Sequence, residues 1–310
     1  MRTTFPVKVS NPETVESLVK KIGDCQIVKN NNTLDFVIVF ASALHNANKE
    51  SLVFCSAEDS KQIKISVNET SARVIIVSNK ISVNQDKVLI ITDDPLAWFI
   101  KALNFLCDFN AANSIDIVSN RSLIDKGVLI GKGTVVEKGS IVGANCSIGA
   151  NCFIGSGVVI ENNVFIQSNT SIGGVGLGYH FTKNKERMFF PHIGSVLIGK
   201  NVVIGSGCVI VRGQLQDTVI HNNSRIGNLV NVGHNVSVGE NCVISSNTCI
   251  AGGTSIGNDC SIASGVTINA KLKIGNNCQV GLGSVVTKGV PSNSSVFGNP
   301  ARPLPTMRKF

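Results

Sequence analysis

The sequence predicts a mainly β protein, in which a triangular coil of short parallel strands follows a separate α/β unit. Two observations support this prediction: an aliphatic residue returns every sixth position from residue 130 onward, and the composition is rich in glycine and poor in aromatic side chains. The 310 residues are 43% hydrophobic and 15% charged, with 30 glycines, one Trp and one Tyr. Such a chain can bury a core built from branched aliphatic residues, which excludes general disorder and disfavours a helical bundle.

The six-residue period fits neither an α-helix, with about 3.6 residues per turn, nor a simple strand alternating every two residues. It suits a coil with three flat sides of six residues each, so that 18 residues complete one turn. Every sixth side chain then points into the coil. The predicted inward positions are Ile130, Val136, Val142, Ile148, Ile154, Ile160, Ile166, Ile172, Ile198, Ile204, Ile210, Ile220, Ile226, Val232, Val238, Ile244, Ile250, Ile256, Ile262, Ile268, Ile274, Val280 and Val286.

Small residues accompany this row. Glycine often follows the aliphatic position, where we expect a corner that favours a residue without Cβ. Six of the ten cysteines stand two positions before it, and their spacings fit neither a paired zinc motif nor a compact disulfide framework. We interpret these six as buried thiols that pack like small hydrophobic residues: Cys146, Cys152, Cys208, Cys242, Cys260 and Cys278.

Residues 1–110 are predicted to form a separate α/β domain. Asn11-Pro12 and Asp94-Pro95 are typical helix starts, and the second is expected to open a helix through Phe109. Short apolar runs indicate strands at Leu34–Phe40, Leu52–Cys55, Val74–Val77 and Val88–Ile91.

The remaining chain is predicted to form the coil, at residues 111–290, and a C-terminal tail, at 291–310. An insertion at residues 173–197 breaks the period, and an insertion of that length is usually functional or mobile. Its glycines, including Gly174 and Gly176, either let the backbone approach a ligand or simply let the chain leave the coil. Both interpretations stand on the sequence alone.

The charge is uneven. Residues 1–120 hold 12 Lys or Arg and 13 Asp or Glu, whereas residues 121–310 hold 16 and 7. The basic half either attracts phosphate groups or supplies ordinary surface charge. No apolar stretch reaches 18 residues and the start lacks a signal peptide, so we expect a cytoplasmic protein with no membrane span and no nucleic-acid partner.

One pair of residues points to chemistry. His234 stands two positions after the inward Val232, on the coil surface, and Gly252 follows one 18-residue turn later, at a strand spacing of about 5 Å. Acyl transfer needs a base to remove a proton and an N–H donor to stabilise the developing oxyanion. An isolated exposed histidine without function is the competing interpretation.

This sequence resembles the hexapeptide-repeat N-acyltransferases of nucleotide-linked amino sugars and is similar to UDP-3-O-acylglucosamine N-acyltransferase of lipid A assembly. The resemblance rests on the repeat, the GGVGLGY and RGQLQDTVI segments and the GHNVSVG–IAGG pair. It implies a left-handed parallel β-helix, a nucleotide-binding leader domain and a homotrimer. It also implies that His234 is the general base, that Gly252 contacts the oxyanion, and that Asn228 and Asp217 support the site.

The resemblance also suggests substrate contacts. Phe54 matches a residue that stacks on the base, although Ser60 replaces the second aromatic residue of the lipid A enzyme; Gly174, Gly176, Tyr179 and His180 of the glycine loop are the other predicted substrate-binding residues. A dTDP-linked 3- or 4-amino-6-deoxysugar, used for surface polysaccharide such as O-antigen, is therefore favoured over a UDP sugar.

The ending VVTKGVPSNSSVFGNPARPL resembles coenzyme A-dependent sugar acyltransferases. It predicts acyl-CoA as donor, with Lys271, Lys288 and Arg302 as phosphate contacts or else as ordinary surface cations. Two alternatives stay open: the lipid A enzyme, which uses acyl carrier protein, and a binding or scaffold coil without catalysis. No metal is expected, because a zinc site needs about three protein ligands and no two coil histidines share the 18-residue interval.

Overall fold

The computed structural model describes residues 7–29, 35–57, 59–82, 86–107 and 123–304. The chain forms two compact units. The first comprises Met1–Asn110, Leu177–Ile193 and Gln214–Gln216, and the second comprises Ala111–Gly176, Gly194–Gly213 and Asp217–Phe310. Most of the predicted insertion thus belongs to the first unit. The predicted boundary between residues 110 and 111, the predicted helix end at Phe109 and the last six residues of the predicted tail lie outside the described residues.

The first unit has a six-stranded sheet with the order β1-β3-β4-β5-β6-β2, in which β3 to β6 run parallel and both edge strands are antiparallel. A short 3-10 helix lies between β3 and β4, at Leu44–Asn46. The elements are β1 (Val7–Thr14), α1 (Val15–Ile22), β2 (Gln26–Lys29), β3 (Val37–Ala41), β4 (Ser51–Phe54), α2 (Ser60–Glu69), β5 (Val74–Val77), β6 (Val88–Ile91) and α3 (Pro95–Leu106).

Two helix starts test the sequence prediction. Asp94 caps α3 as expected, because its carboxylate accepts a hydrogen bond from the Ala97 N–H at 3.0 Å and Pro95 opens the helix. The predicted start at Asn11-Pro12 is wrong. The chain there is extended in β1, which pairs with β3, and α1 begins only after Thr14, whose hydroxyl accepts from the Ser17 N–H.

The second unit is a parallel β-coil of very short strands, and the hairpin β16–β17 of the insertion belongs to the first unit. The strands are β7 (Leu123–Ile124), β8 (Leu129–Ile130), β9 (Val135–Val136), β10 (Ile141–Val142), β11 (Ser147–Ile148), β12 (Phe153–Ile154), β13 (Val159–Ile160), β14 (Phe165–Ile166), β15 (Ser171–Gly174), β16 (Tyr179–Phe181), β17 (Arg187–Phe189), β18 (Val196–Ile198), β19 (Val203–Ile204), β20 (Val209–Val211), β21 (Thr218–Ile220), β22 (Arg225–Ile226), β23 (Asn231–Val232), β24 (Ser237–Val238), β25 (Val243–Ile244), β26 (Cys249–Ile250), β27 (Ser255–Ile256), β28 (Ser261–Ile262), β29 (Thr267–Ile268), β30 (Lys273–Ile274), β31 (Gln279–Val280), β32 (Val285–Val286), β33 (Ser295–Phe297) and β34 (Arg302–Pro303).

Apart from the hairpin β16–β17, these strands form three sheets of eight, ten and eight members, and along the coil each sheet takes one strand per turn. Pairing is parallel and joins residues one turn apart, as Val232 pairs with Ile250 and Ile250 with Ile268. The only antiparallel coil pair among the described residues is β33 with β34; β33 itself continues the ten-stranded sheet from within the predicted tail. The predicted mainly β class, a parallel β-helix preceded by an α/β domain, is confirmed.

The inward row is the core of the coil. Every predicted aliphatic position from Val136 to Val286 is at most 2% exposed, and Ile130 in the first coil is partly buried against the same cluster. The six repeat cysteines are buried free thiols, as predicted.

The glycines after the inward row have a steric role. A Cβ atom on Gly131 would lie 2.4 Å from the Ala150 nitrogen of the next coil, and one on Gly233 would lie 2.7 Å from the Gly252 nitrogen. The left-handed backbone occurs two residues later, where asparagine or glycine usually stands, as at Asn241 with φ 56° and Gly253 with φ 72°. At each corner, therefore, the close contact between neighbouring coils and the left-handed backbone fall on two different residues.

Candidate active site

His234 lies at the corner that follows β23, half-buried on the outside of the coil. Because Val232 pairs with Ile250, the corner of the next coil places Gly252 directly against the imidazole ring. A Cβ atom on Gly252 would lie 2.6 Å from Nε2 of His234. The structure thus brings together the two residues that the 18-residue spacing aligned, and only glycine fits beside the ring as it stands.

Among the described residues, the backbone N–H of Gly252 lacks the side-chain cap that is found at several other corners of the coil. The N–H of Ala150 donates to Ser168 Oγ at 3.1 Å and that of Ser206 donates to Asn228 Oδ1 at 2.9 Å, so a side chain one coil on caps each group. Above Gly252 the stacked residue is Ala270, whose methyl group accepts no hydrogen bond. No acceptor for the Gly252 N–H is found among the residues that the structure describes, which leaves this donor available to an acyl oxygen.

Asn235 sets the state of the imidazole. Its Oδ1 lies 2.9 Å from Nδ1 of His234. An amide oxygen only accepts hydrogen bonds, so this contact favours the neutral tautomer with the hydrogen on Nδ1 and the lone pair on Nε2. Nε2 is also the ring atom nearest the Gly252 position. The sequence analysis did not single out Asn235, although it is the next residue in the chain.

Two of the three predicted phosphate contacts share this corner. Lys271 follows Gly252 by one coil: its N–H donates to the Gly252 carbonyl at 3.0 Å, and its Cγ lies against Gly253. Pairing of Thr267 with Val285 places Lys288 at the corner one coil further on, and both lysines are exposed. Arg302 lies instead in β34, exposed, with Nη1 donating to the Ala301 carbonyl.

Asp217 and Asn228 hold backbone groups. The Asp217 carboxylate accepts a hydrogen bond from the Ser195 N–H at 2.7 Å. Burial lowers the pKa of the partly buried Arg212 below its ordinary value, and the charges of Glu137 and Asp217 oppose this shift. Arg212 donates to the carbonyls of Gly194 and Ser156. Asn228 is exposed one corner before His234. Its Oδ1 caps Ser206, as described above, which is the same contact that other coil asparagines make.

Gly174 and Gly176 lie in the second unit, where the insertion leaves the coil. Gly174 ends β15, and its carbonyl accepts from the Arg212 N–H at 3.0 Å. Neither glycine has a positive φ; Gly173 does, at 86°. Two other glycines of the segment are tightly enclosed: a Cβ atom on Gly173 would lie 2.5 Å from Cγ2 of Val158, and one on Gly178, in the first unit, would lie 2.6 Å from Nε2 of Gln214 and 2.7 Å from the His192 ring.

The first unit contains its own cavity, of about 540 Å³, at the carboxyl ends of the parallel strands β4, β5 and β6. Ligands of open α/β sheets bind at this edge. The lining combines polar and apolar groups and comes from three strand ends, the start of α3 and the hairpin: Cys55, Ser56, Ala57, Ser78, Asn79, Asp93, Asp94, Pro95, Leu96, His180, Phe181, Thr182 and Lys183.

His180 joins the hairpin to α3 within this cavity. Its Nε2 lies 3.1 and 3.0 Å from the two carboxylate oxygens of Asp94. Partial burial raises the pKa of Asp94, but the Ala97 N–H, His180 and the Lys183 backbone outweigh burial and hold that pKa below its ordinary value. The predicted substrate residue His180 thus lines a pocket, where it is paired with a carboxylate.

The other two predicted aromatic contacts lie apart from the cavity lining. Phe54 is half-buried, and its ring packs against Phe99 in the hydrophobic core of the first unit, with the ring centroids 5.0 Å apart. Tyr179 is exposed on the hairpin, beside Phe181, with the Arg187 guanidinium 5.5 Å from its ring centre. The sequence analysis did not place Ser78, Asn79 and Asp94 in a common cavity, since their common location depends on strand order rather than on spacing.

Two absences are confined to the described residues. They contain no group of three or more His, Cys, Asp or Glu side chains arranged to hold a metal ion. None of their helices is both long and apolar enough to cross a membrane.

Comparison with known families supports the coil assignment. Residues 121–156 and 217–252 match the family "Bacterial transferase hexapeptide (six repeats)", and residues 139–174, 235–270 and 271–291 match "Hexapeptide repeat of succinyl-transferase". The segment 217–252 contains both His234 and Gly252, and the segment 235–270 contains Gly252. Two stretches of the chain, residues 121–174 and 217–291, thus match hexapeptide-repeat families.

Among curated proteins, the chain is similar to UDP-3-O-acylglucosamine N-acyltransferase of Rickettsia akari, at 51% identity over 59 residues, and of Leptospira biflexa, at 39% over 61 residues. These matches cover 19% and 20% of this chain but only 17% of either relative's length. They confirm the resemblance drawn from the repeat and leave most of each relative unmatched.

Among solved structures, the fold is similar to UDP-N-acetylglucosamine acyltransferase of Francisella novicida, with a TM-score of 0.56, 24% identity, and coverage of 62% of this chain and 69% of that one. LpxA of Acinetobacter baumannii gives a TM-score of 0.51 at 23% identity, over 61% and 74% of the two chains. At these identities the likeness concerns the fold.

Proposed function

We propose that this protein is an N-acyltransferase that moves an acyl group from a thioester donor to the amine of a nucleotide-linked amino sugar. The observation that carries the proposal is the His234 corner, where an imidazole with Nε2 as acceptor lies against a glycine whose N–H has no acceptor among the described residues. Curated relatives named as N-acyltransferases of a UDP-linked glucosamine support the same reaction class.

In this mechanism the amine attacks the thioester carbonyl, and His234 Nε2 takes up the amine proton. The Gly252 N–H donates to the carbonyl oxygen as it gains negative charge. Collapse of the tetrahedral intermediate breaks the C–S bond and expels the thiolate, which takes up the proton held by His234, and the amide forms. No covalent enzyme intermediate is required, since the proton acceptor and the oxyanion donor already lie at one corner.

The nucleotide is proposed to bind in the cavity of the first unit. Asp93 and the side chains of Ser78 and Asn79 offer the acceptors and donors that ribose hydroxyls and a pyrimidine edge require, at the strand ends where such ligands bind. Phe54 is retained as a proposed contact of the base, with its half-buried ring supported by Phe99 of the first unit.

Acyl-CoA is the proposed donor, because the residues of the corner fit its chemistry: the exposed ammonium groups of Lys271 and Lys288 are suited to phosphate oxygens. Coenzyme A supplies an activated acyl thioester. Arg302 is proposed as a further phosphate contact from β34. Gly174, Gly176, Tyr179 and Asn228 are retained as proposed substrate contacts, with Asp217 in a supporting role.

The second candidate is UDP-3-O-acylglucosamine N-acyltransferase activity with acyl carrier protein as donor. The names of the curated relatives favour it. The two proposals differ in donor and in nucleotide, since the first takes a dTDP-linked 3- or 4-amino-6-deoxysugar for surface polysaccharide. A homotrimer is proposed in both.

Purified protein tested with acetyl-CoA against a panel of dTDP- and UDP-linked amino sugars decides between them. Thiol release that depends on a dTDP amino sugar is the expected result. Release only from hydroxyacyl carrier protein with the UDP acceptor would establish the second candidate. No transfer by a well-folded sample with either donor would favour a binding or scaffold coil. Sedimentation of the same sample tests the trimer, and an active species of 32.7 kDa would contradict it.

A further inference from the structure

Most residues with left-handed backbone at the coil corners make the same kind of hydrogen bond. Their N–H donates to a backbone carbonyl of the coil below, as for Asn241 to Asn222, Gly253 to His234 and Lys271 to Gly252. The same bond is made by Asn151, Asn163, Asn169, Asn201, Asn223, Leu229, Asn247, Asp259, Asn277 and Asn293. This carbonyl fixes the height of the corner above the previous coil.

Asn235 makes a different bond. Its φ is 59°, like the others, but its N–H donates to the side-chain hydroxyl Oγ1 of Thr218 at 2.9 Å. The cause lies in the sequence, because the six-residue period slips by four residues between Ile210 and Ile220. In the coil below, the residues next to this corner therefore belong to the strand β21, which begins at Thr218, and not to a regular turn.

Thr218 is itself held rigidly. It is fully buried, it pairs in register with Val196, and its N–H donates to the Ser195 carbonyl at 3.0 Å. A β-branched residue has few side-chain rotamers, so the position of Oγ1 follows from the strand. Oγ1 then locates the Asn235 backbone, and the Asn235 Oδ1 receives Nδ1–H of His234.

We propose that Thr218 is a positioning residue, which acts through Asn235 to hold the His234 imidazole with the hydrogen on Nδ1 and the lone pair on Nε2. This inference rests on the proposed role of His234 as the base. It assigns a function to the break in the repeat: the slip replaces a backbone acceptor, which every residue supplies, by a side chain that a single substitution can remove.

The test compares Thr218→Val with Thr134→Val. Thr134 is a matched control, because it is equally buried and its Oγ1 also accepts a backbone N–H from the next coil, that of Cys152 at 3.0 Å, far along the chain from His234. The tautomer of His234 is measured by nitrogen-15 NMR of the imidazole, using His234→Gln to assign the signals. This measurement needs no substrate, so it remains informative if the proposed reaction is wrong.

We expect the native protein and Thr134→Val to hold the Nδ1–H form, and Thr218→Val to gain a substantial Nε2–H population. With an active substrate pair, kcat should fall about tenfold in Thr218→Val at little change in KM, as for the loss of one orienting hydrogen bond. Thr218→Ser, which keeps the hydroxyl, should recover kcat to within about twofold.

Asn235→Gly provides a second route if Thr218→Val does not fold, because glycine tolerates the left-handed corner, as Gly253 does one coil on. It should show the same change of tautomer. An unchanged tautomer in either folded variant, or the same change in Thr134→Val, would overturn the proposal.

Discussion

Two corners of the same coil use the same backbone turn for opposite purposes. At one corner, left-handed asparagines stack and bond to each other through their side chains. Each Nδ2 donates to the Oδ1 one coil on, from Asn145 to Asn163 at 3.3 Å and from Asn201 to Asn223 at 3.0 Å. At the other, His234, Gly252 and Ala270 stack in succession, and neither glycine nor alanine has a side chain that can accept a hydrogen bond from the backbone N–H one coil below.

The difference teaches how a repetitive fold acquires a site. At the asparagine corner, the side-chain amides hydrogen-bond to one another, and these bonds stabilise the stack. The His234 corner lacks this stabilisation, because Gly252 and Ala270 stand where asparagine or serine would cap the backbone. The consequence is a base and an N–H donor facing outward, and four substitutions test this contrast.

The largest effect is expected for His234→Ala. Loss of the base should lower turnover by roughly 10²–10⁴-fold while leaving the unfolding midpoint in place, because the side chain lies outside the inward row. Turnover is measured by thiol release at saturating substrate. His221→Ala is the matched control, since His221 is another half-buried coil histidine, at a different position of the turn. Equal losses in both variants would remove His234 from its role.

Gly252→Ala should cost somewhat less. The new methyl group would lie 2.6 Å from Nε2 of His234, so the ring must move, and we expect about a 10²-fold loss in kcat. If displacement of the ring is the cause, the double variant with His234→Ala should be no slower than His234→Ala alone. Additive losses would show that position 252 acts independently of the imidazole.

At the asparagine corner the effect should fall on stability. Asn241→Ala removes the bonds from Asn223, at 3.2 Å, and to Asp259, at 3.1 Å, and leaves alanine at a φ of 56°. We expect the free energy of unfolding, measured in urea, to fall by about 1–3 kcal/mol, with turnover unchanged. Asn241→Gly should recover the part due to backbone strain. A loss of turnover without a loss of stability would reverse the contrast between the two corners.

The smallest effect concerns Asp259, which stands in the asparagine stack. A carboxylate accepts the Asn241 amide but has no hydrogen to donate onward to Asn277. Asp259→Asn should therefore complete the stack and raise the free energy of unfolding by about 0.5 kcal/mol. A decrease in the same urea titration would mean that the carboxylate has a favourable role of its own.

Much of the coil followed from the sequence alone. A period of six has one geometric solution in which all aliphatic residues point inward, so the buried row from Val136 to Val286 could be named in advance. The same arithmetic placed Gly252 beside His234, because in a regular coil sequence distance converts directly into spatial distance. Local chemistry also predicted the cap of α3 at Asp94.

Tertiary structure decided the rest, where contacts join segments that no period relates. Pairing of β1 with β3 kept Asn11-Pro12 extended and delayed α1 to Val15. The order of the first sheet gathered Ser78, Asp94 and His180 around one cavity, and the slip before Ile220 placed Thr218 under Asn235. These features depend on long-range strand pairing, whose free energy is absent from any local stretch of sequence, whereas the coil repeats one local rule at every turn.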